Sequence, residues 1–112
     1  MLSTFLILLC AAIHGYFVGL EMVQWESPQA RTTFGTTPEF AMATRVLAAN
    51  QGRYNGFPAA GLLFGLWRGD VAMLGFLLVC IAVAGIYGAL TATKMAFFAQ
   101  TIPAGLALWA LM

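Results

Sequence analysis

His14 and Glu21 stand seven residues apart in one apolar stretch of the chain, and Asn50, Gln51, Tyr54 and Asn55 crowd into a second. Tyr87 and Gln100 add a phenol and a carboxamide from two further apolar stretches. An imidazole, a carboxylate, two phenols and several amides together offer donors, acceptors and a titratable pair. That set suits proton transfer on a small molecule. Glu21 would act as base and His14 as its acid or relay partner, while Asn50, Gln51, Tyr54 or Asn55 donate hydrogen bonds to a developing oxyanion. Tyr87 and Gln100 would join the amides in holding the substrate. Glu39 and Arg45 are placed to guard an entrance, although Glu39 better suits the first turn of a helix, where a carboxylate complements the positive end.

Metal chemistry has little support, because no His-x-x-x-His or Glu-x-x-His spacing occurs. No cofactor motif is present either, so none is expected. Cys10 and Cys80 lack Cys-x-x-Cys spacing and sit inside apolar stretches, where a thiol is mostly un-ionised and serves as packing.

The stretches that carry these residues run over about residues 2–25, 46–67, 71–90 and 95–112. Each is near the ~20 residues that a helix needs to cross ~30 Å of hydrocarbon. Composition agrees: 62% of the 112 residues are hydrophobic and 8% charged, too little polar surface for a soluble chain of this size. A net charge of +1 points to no nucleic acid. The first stretch has no basic n-region and no small-x-small cleavage site, so it reads as a span and not as a cleavable signal. The expected fold is an all-α integral membrane protein of one domain, residues 1–112. It is a four-transmembrane-helix bundle with a polar pocket in one half.

The connections set orientation and depth. Between Glu26 and Arg45, Thr37 suits a helix cap, Pro38 its first turn and Glu39 its positive end, so the second helix should begin there, ahead of the membrane. Trp67 to Asp70 and Thr91 to Lys94 read as tight turns. Arg31, Arg45 and Lys94 flank the first and third connections against Arg68 alone at the opposite end, which puts both termini outside an inner membrane. Glu21, Asn50, Gln51, Arg53 and Tyr87 then fall near the face of the first and third connections. His14, Tyr54, Asn55 and Gln100 lie deeper by up to ~10 Å. The other half of every stretch is almost wholly apolar.

Helical phase narrows the set. His14 and Glu21 are separated by about 700° and share a face. Gln51 and Asn55 are one turn apart with Tyr54 adjacent, whereas Asn50 and Arg53 project elsewhere. Ionised or amide groups in hydrocarbon turn to a bundle interior or a hydrated cavity, since exposure to lipid costs several kcal/mol. The plainer alternative is interhelical adhesion, with Glu21 simply paired to Arg53 or Arg45. Small-x-x-x-small pairs such as Gly15 with Gly19 and Gly61 with Gly65 suit close helix approach, within one chain or in a homo-oligomer. Trp25, Trp67 and Trp109 fall where interfacial anchors belong.

The runs Glu21-Met22, Thr37-Pro38-Glu39-Phe40, Asn50-Gln51-Gly52, Tyr54-Asn55-Gly56-Phe57 and Ala84-Gly85-Ile86-Tyr87-Gly88, with His14, Trp25, Gln100 and Pro103, resemble a family of small four-span bacterial membrane proteins. That family is the domain of unknown function numbered thirteen hundred and four. The resemblance covers almost the whole chain and implies fold and membrane location, with no activity attached. Pro58 replaces an aliphatic residue expected there, and its missing N–H frees the Tyr54 carbonyl. Three function classes follow: a pocket for an amphipathic small molecule with Glu/His acid-base chemistry, a proton-coupled small-molecule exporter, and an accessory subunit of a membrane complex.

Overall fold

The computed structural model describes all residues, 1–112, and its regular elements are all helices. Five helices follow in order: α1 Leu2–Met22, α2 Pro28–Phe34, α3 Pro38–Arg68, α4 Val71–Thr91 and α5 Ile102–Leu111, the last preceded by a π-helical turn at Phe97–Thr101. Local chemistry marks most ends. The hydroxyls of Ser27 and Thr37 accept from the amides of Ala30 and Phe40, and Pro28 and Pro38 supply the first-turn residues of α2 and α3. Gly69, at φ 66°, closes α3 in the left-handed conformation, and Asp70 caps α4 through the Met73 amide at 3.0 Å.

Two sequence expectations change in this description. The first connection is not a plain loop, since Ser27-Pro28 starts a seven-residue helix that Gly35 ends at φ 68°. Its cap, proline and glycine are the signals of a short helix. The fourth stretch is not a uniform α-helix. Pro103 has no N–H for the Ala99 carbonyl, and the Ile102 amide bonds back to Phe97, one residue further than α geometry. Insertion of a π turn just before a proline resolves that missing donor.

Packing forms a ring of four helices. α1 lies between α3 and the last helix, and α4 lies between the same two on the far side. One end is a dry core of Ile7, Cys10 and Ala11 from α1, Leu62 from α3, Leu74, Leu78 and Ile81 from α4, and Ala104 and Ala107 from α5. At the other end Ala30 of α2 packs against Phe17 and Leu20, beside Phe34, Met95 and Ala99. Helix α2 thus folds back over the polar end of the bundle.

Register follows from one contact. A Cβ at Gly52 would lie 2.7 Å from Met22 Cγ and 3.0 Å from Glu21 Cβ, so the end of α1 is pressed against the middle of α3. About 14 residues of α3, Pro38 to Gln51, or ~21 Å, therefore extend past α1. The segment after α1 runs back along this overhang, where the Trp25 indole donates to Thr44 Oγ1 at 3.1 Å. Two helices, α1 and α4, are long and apolar enough to cross a membrane. Only 20 residues are buried, and Phe5, Leu63, Phe76, Val83, Leu106 and Trp109 stand exposed on the outer surface.

Candidate functional site

His14 is nearly inaccessible, at 2% exposure, and its Nδ1 lies 2.9 Å from the Cys10 carbonyl oxygen one turn earlier. A carbonyl only accepts, so Nδ1 carries the proton in this bond and Nε2 is left with its lone pair. His14 forms the α1 wall of a cavity of about 200 Å³. Gln51, Tyr54, Asn55 and Pro58 line it from α3, Cys80, Ile81 and Ala84 from α4, and Gln100 from the π turn. All four long elements contribute, and the lining residues bear no formal charge. Tyr54 and Cys80, both exposed, flank the side on which the cavity opens between α3 and α4.

Helical spacing explains the α3 wall. Gln51, Asn55 and Pro58 recur at four and three residues and so share one face. Pro58 donates no backbone bond to the Tyr54 carbonyl, and both residues border the same space. Asn50 and Arg53 point elsewhere: Arg53 Nη2 donates to Asn50 Oδ1 at 2.7 Å, and Asn50 Nδ2 to the Val46 carbonyl at 3.0 Å. Arg53 also sits 5.8 Å above the Tyr54 ring.

Gln100 is positioned by the π turn and its anchorage on α4. Thr101 Oγ1 donates to the Ala82 carbonyl at 2.9 Å. Across from it, a Cβ at Gly85 would meet the Thr101 side chain, the Thr101 amide nitrogen at 2.8 Å and the Ala96 carbonyl at 3.0 Å. Only glycine lets the two backbones come that close. The sequence singled out Gln100 for its polarity, but nothing in it signalled that Gly85 and Pro103 would together set its depth.

Glu21 is buried, at 7% exposure, and Asn55 Nδ2 donates to its Oε1. No Lys or Arg lies within 4 Å of it. Arg45 instead faces Glu26 at 3.7 Å, and Arg53 holds Asn50. The pairing of Glu21 with Arg45 or Arg53 that the adhesion alternative required is therefore absent, because both guanidiniums engage other partners on the outer side of α3. Glu21 borders two grooves near the overhang: one of about 530 Å³ with Arg45 and Asn50, and one of about 300 Å³ with Trp25, Phe40 and Gln51. Gln51 joins the second groove to the His14 cavity.

Of the residues singled out from sequence, His14, Gln51, Tyr54, Asn55 and Gln100 thus line one cavity, and Glu21 touches it only through Asn55. Asn50 and Arg45 line the outer groove instead. Tyr87 is 69% exposed and Glu39 stands free at the start of α3, so neither is brought to the cavity. Cys80, a packing residue by the sequence reading, borders the cavity, and so does Pro58 beside the Tyr54 whose carbonyl it leaves free. No curated protein and no solved structure matches the chain. The family model described as a protein of unknown function, DUF1304, matches residues 8–112, and the chain belongs to that family.

Proposed function

We propose that this protein is a four-span inner-membrane protein whose polar cavity binds the head of an amphipathic small molecule, with His14 as the proton-handling group that meets it. The observation carrying this reading is the convergence of His14, Asn55 and Gln100 from three separate elements on one uncharged cavity. Adhesion between helices would pair such groups with one another. Here Gln51 and Gln100 make no side-chain hydrogen bond, and one imidazole nitrogen stays unpaired.

Membrane location is supported by the outer surface. Each exposed Phe or Leu forfeits roughly 1.5–3 kcal/mol in water, and apolar patches beyond a few hundred Å² are rare on soluble monomers. Arg31, Arg45 and Lys94 gather at the α2 end, and this excess of basic residues supports a cytoplasmic α2 end with the termini outside. The π-turn helix is short for a span, and α3 is interrupted by polar residues. Gln51, Tyr54 and Asn55 of that interruption line the cavity, and Arg45, Asn50 and Gln51 border the grooves at the α2 end, which supports a span whose polar groups turn from lipid. Gly15 and Gly19 meet nothing within 4 Å and leave α1 open where a homo-oligomer would close.

Glu21 acts on the cavity through Asn55. By holding the amide N–H, the carboxylate fixes Asn55 Oδ1 as the atom free to accept from a ligand. Acid-base work on the ligand then falls first to His14 Nε2, with Glu21 as the group that senses proton concentration behind it. Binding of a fluorescent amphiphile, followed across pH, tests this: Glu21→Gln should stay folded and lose the pH dependence. Identical pH profiles for wild type and Glu21→Gln would remove Glu21 from the mechanism. An exporter of cationic molecules is less favoured, since no carboxylate faces the cavity directly.

A further inference from the structure

We propose that the head group taken by this cavity is an uncharged hydroxyl on an otherwise apolar molecule, a long-chain or ring alcohol that enters sideways between α3 and α4. This rests on the binding reading above and narrows it to a chemical class.

Two acceptors are fixed by their partners. His14 spends its N–H on the Cys10 carbonyl, so Nε2 can only accept, and the side chain, only 2% exposed, lines the cavity. Asn55 spends an N–H on Glu21, which leaves Oδ1 to accept as well. Gln51 and Gln100 have unengaged amide N–H groups to give. A hydroxyl matches this pattern, donating its hydrogen to Nε2 while its oxygen accepts from a carboxamide. A ketone or ether cannot satisfy His14, because it has no donor.

Charge excludes other heads. The cavity walls carry no cation, and the nearest carboxylate, Glu21, lies behind Asn55. A carboxylate or quaternary ammonium there would be desolvated without a counter-ion, at a cost of several kcal/mol by ordinary charge burial. Size sets the rest: about 200 Å³ is the share of roughly seven water molecules at ~30 Å³ each, enough for a head and its first carbons. The tail must leave through the opening beside Tyr54 and Cys80, toward the apolar outer surface.

Cys80 provides the readout, since it borders the opening while Cys10 is buried in the dry core. The full chain in lipid nanodiscs is treated with a small uncharged methanethiosulfonate, and Cys80 modification is timed by mass spectrometry. Competitors are dodecanol, dodecane, the methyl ketone of equal chain length, dodecanoate and dodecyltrimethylammonium. Dodecanol should protect Cys80 at roughly tenfold lower concentration than the others, the worth of one or two hydrogen bonds. His14→Phe should erase that advantage, and Gln100→Leu, which leaves the helix core untouched, should reduce it several-fold. Equal protection by dodecane or the ketone would overturn the hydroxyl assignment. Stronger protection by either ion would overturn it in favour of a charged ligand, with the cavity still a binding site. Protection by none of the five would remove both the hydroxyl and the binding reading.

Discussion

Asn55 serves two neighbours at once, since its amide N–H holds the Glu21 carboxylate while the residue borders the cavity beside His14. Replacing it by leucine strands a buried carboxyl group. Loss of such a partner costs about 1–3 kcal/mol, so Asn55→Leu should lower the unfolding temperature in detergent clearly, and Asn50→Leu, which acts on the outer face, should not. Equal losses for the two would show that the Glu21–Asn55 bond has no special weight. Gly85 makes a sharper case. A valine there would drive into Thr101 and the Ala96 carbonyl, an overpacking worth about 1–3 kcal/mol, whereas valine at Gly75, which has open space, should be nearly silent. At this scale the sequence was informative where polarity and phase sufficed: Gln51, Tyr54 and Asn55 share a wall because they share a helical face. Polarity alone did not place Tyr87: it matches the layer and was grouped with the substrate-holding residues, but its position on α4 turns it outward, 69% exposed.

The elements that place these side chains are set by proline and caps as much as by hydropathy. Thr37-Pro38 announced the start of α3, but the same logic at Ser27-Pro28 with Gly35 gave a helix where a loop was expected. The π turn at Phe97–Thr101 could not be read beforehand. A proline at 103 removes one donor, but whether the chain answers with a kink or an inserted residue depends on Thr101 reaching the Ala82 carbonyl across the gap opened by Gly85. Pro103→Ala returns the donor for Ala99. The turn should then relax toward α geometry and draw Gln100 off the cavity, weakening the protection of Cys80 by dodecanol several-fold. Unchanged protection would show that the π turn does not position Gln100.

The whole molecule is a ring of four helices with a dry end, a polar end and an apolar exterior, and two of its helices are long and apolar enough to cross a membrane. Hydropathy blocks and polar layer were both legible in the chain. The ~21 Å overhang of α3 was visible only as excess length, because the register depends on Gly52 meeting Met22. If the chain crosses the bilayer four times with its termini outside, cysteines placed at Ser3 and Gly69 share the outer face and one at Thr93 lies on the inner face. With Cys10 and Cys80 replaced by alanine, an impermeant maleimide added to intact cells should label Ser3→Cys and Gly69→Cys, and Thr93→Cys should stay unlabelled. Labelling of 69 and 93 from the same face would contradict four crossings.

The central claim is that His14, Asn55 and Gln100 surround a bound molecule. Native mass spectrometry of the protein, extracted gently from its own membrane and followed by organic extraction, tests it most directly. A stoichiometric amphipathic molecule on the wild type, lost from Asn55→Leu and His14→Phe, is the predicted result. A chain that flies empty from its native membrane, or one that keeps the same molecule in both variants, would contradict it.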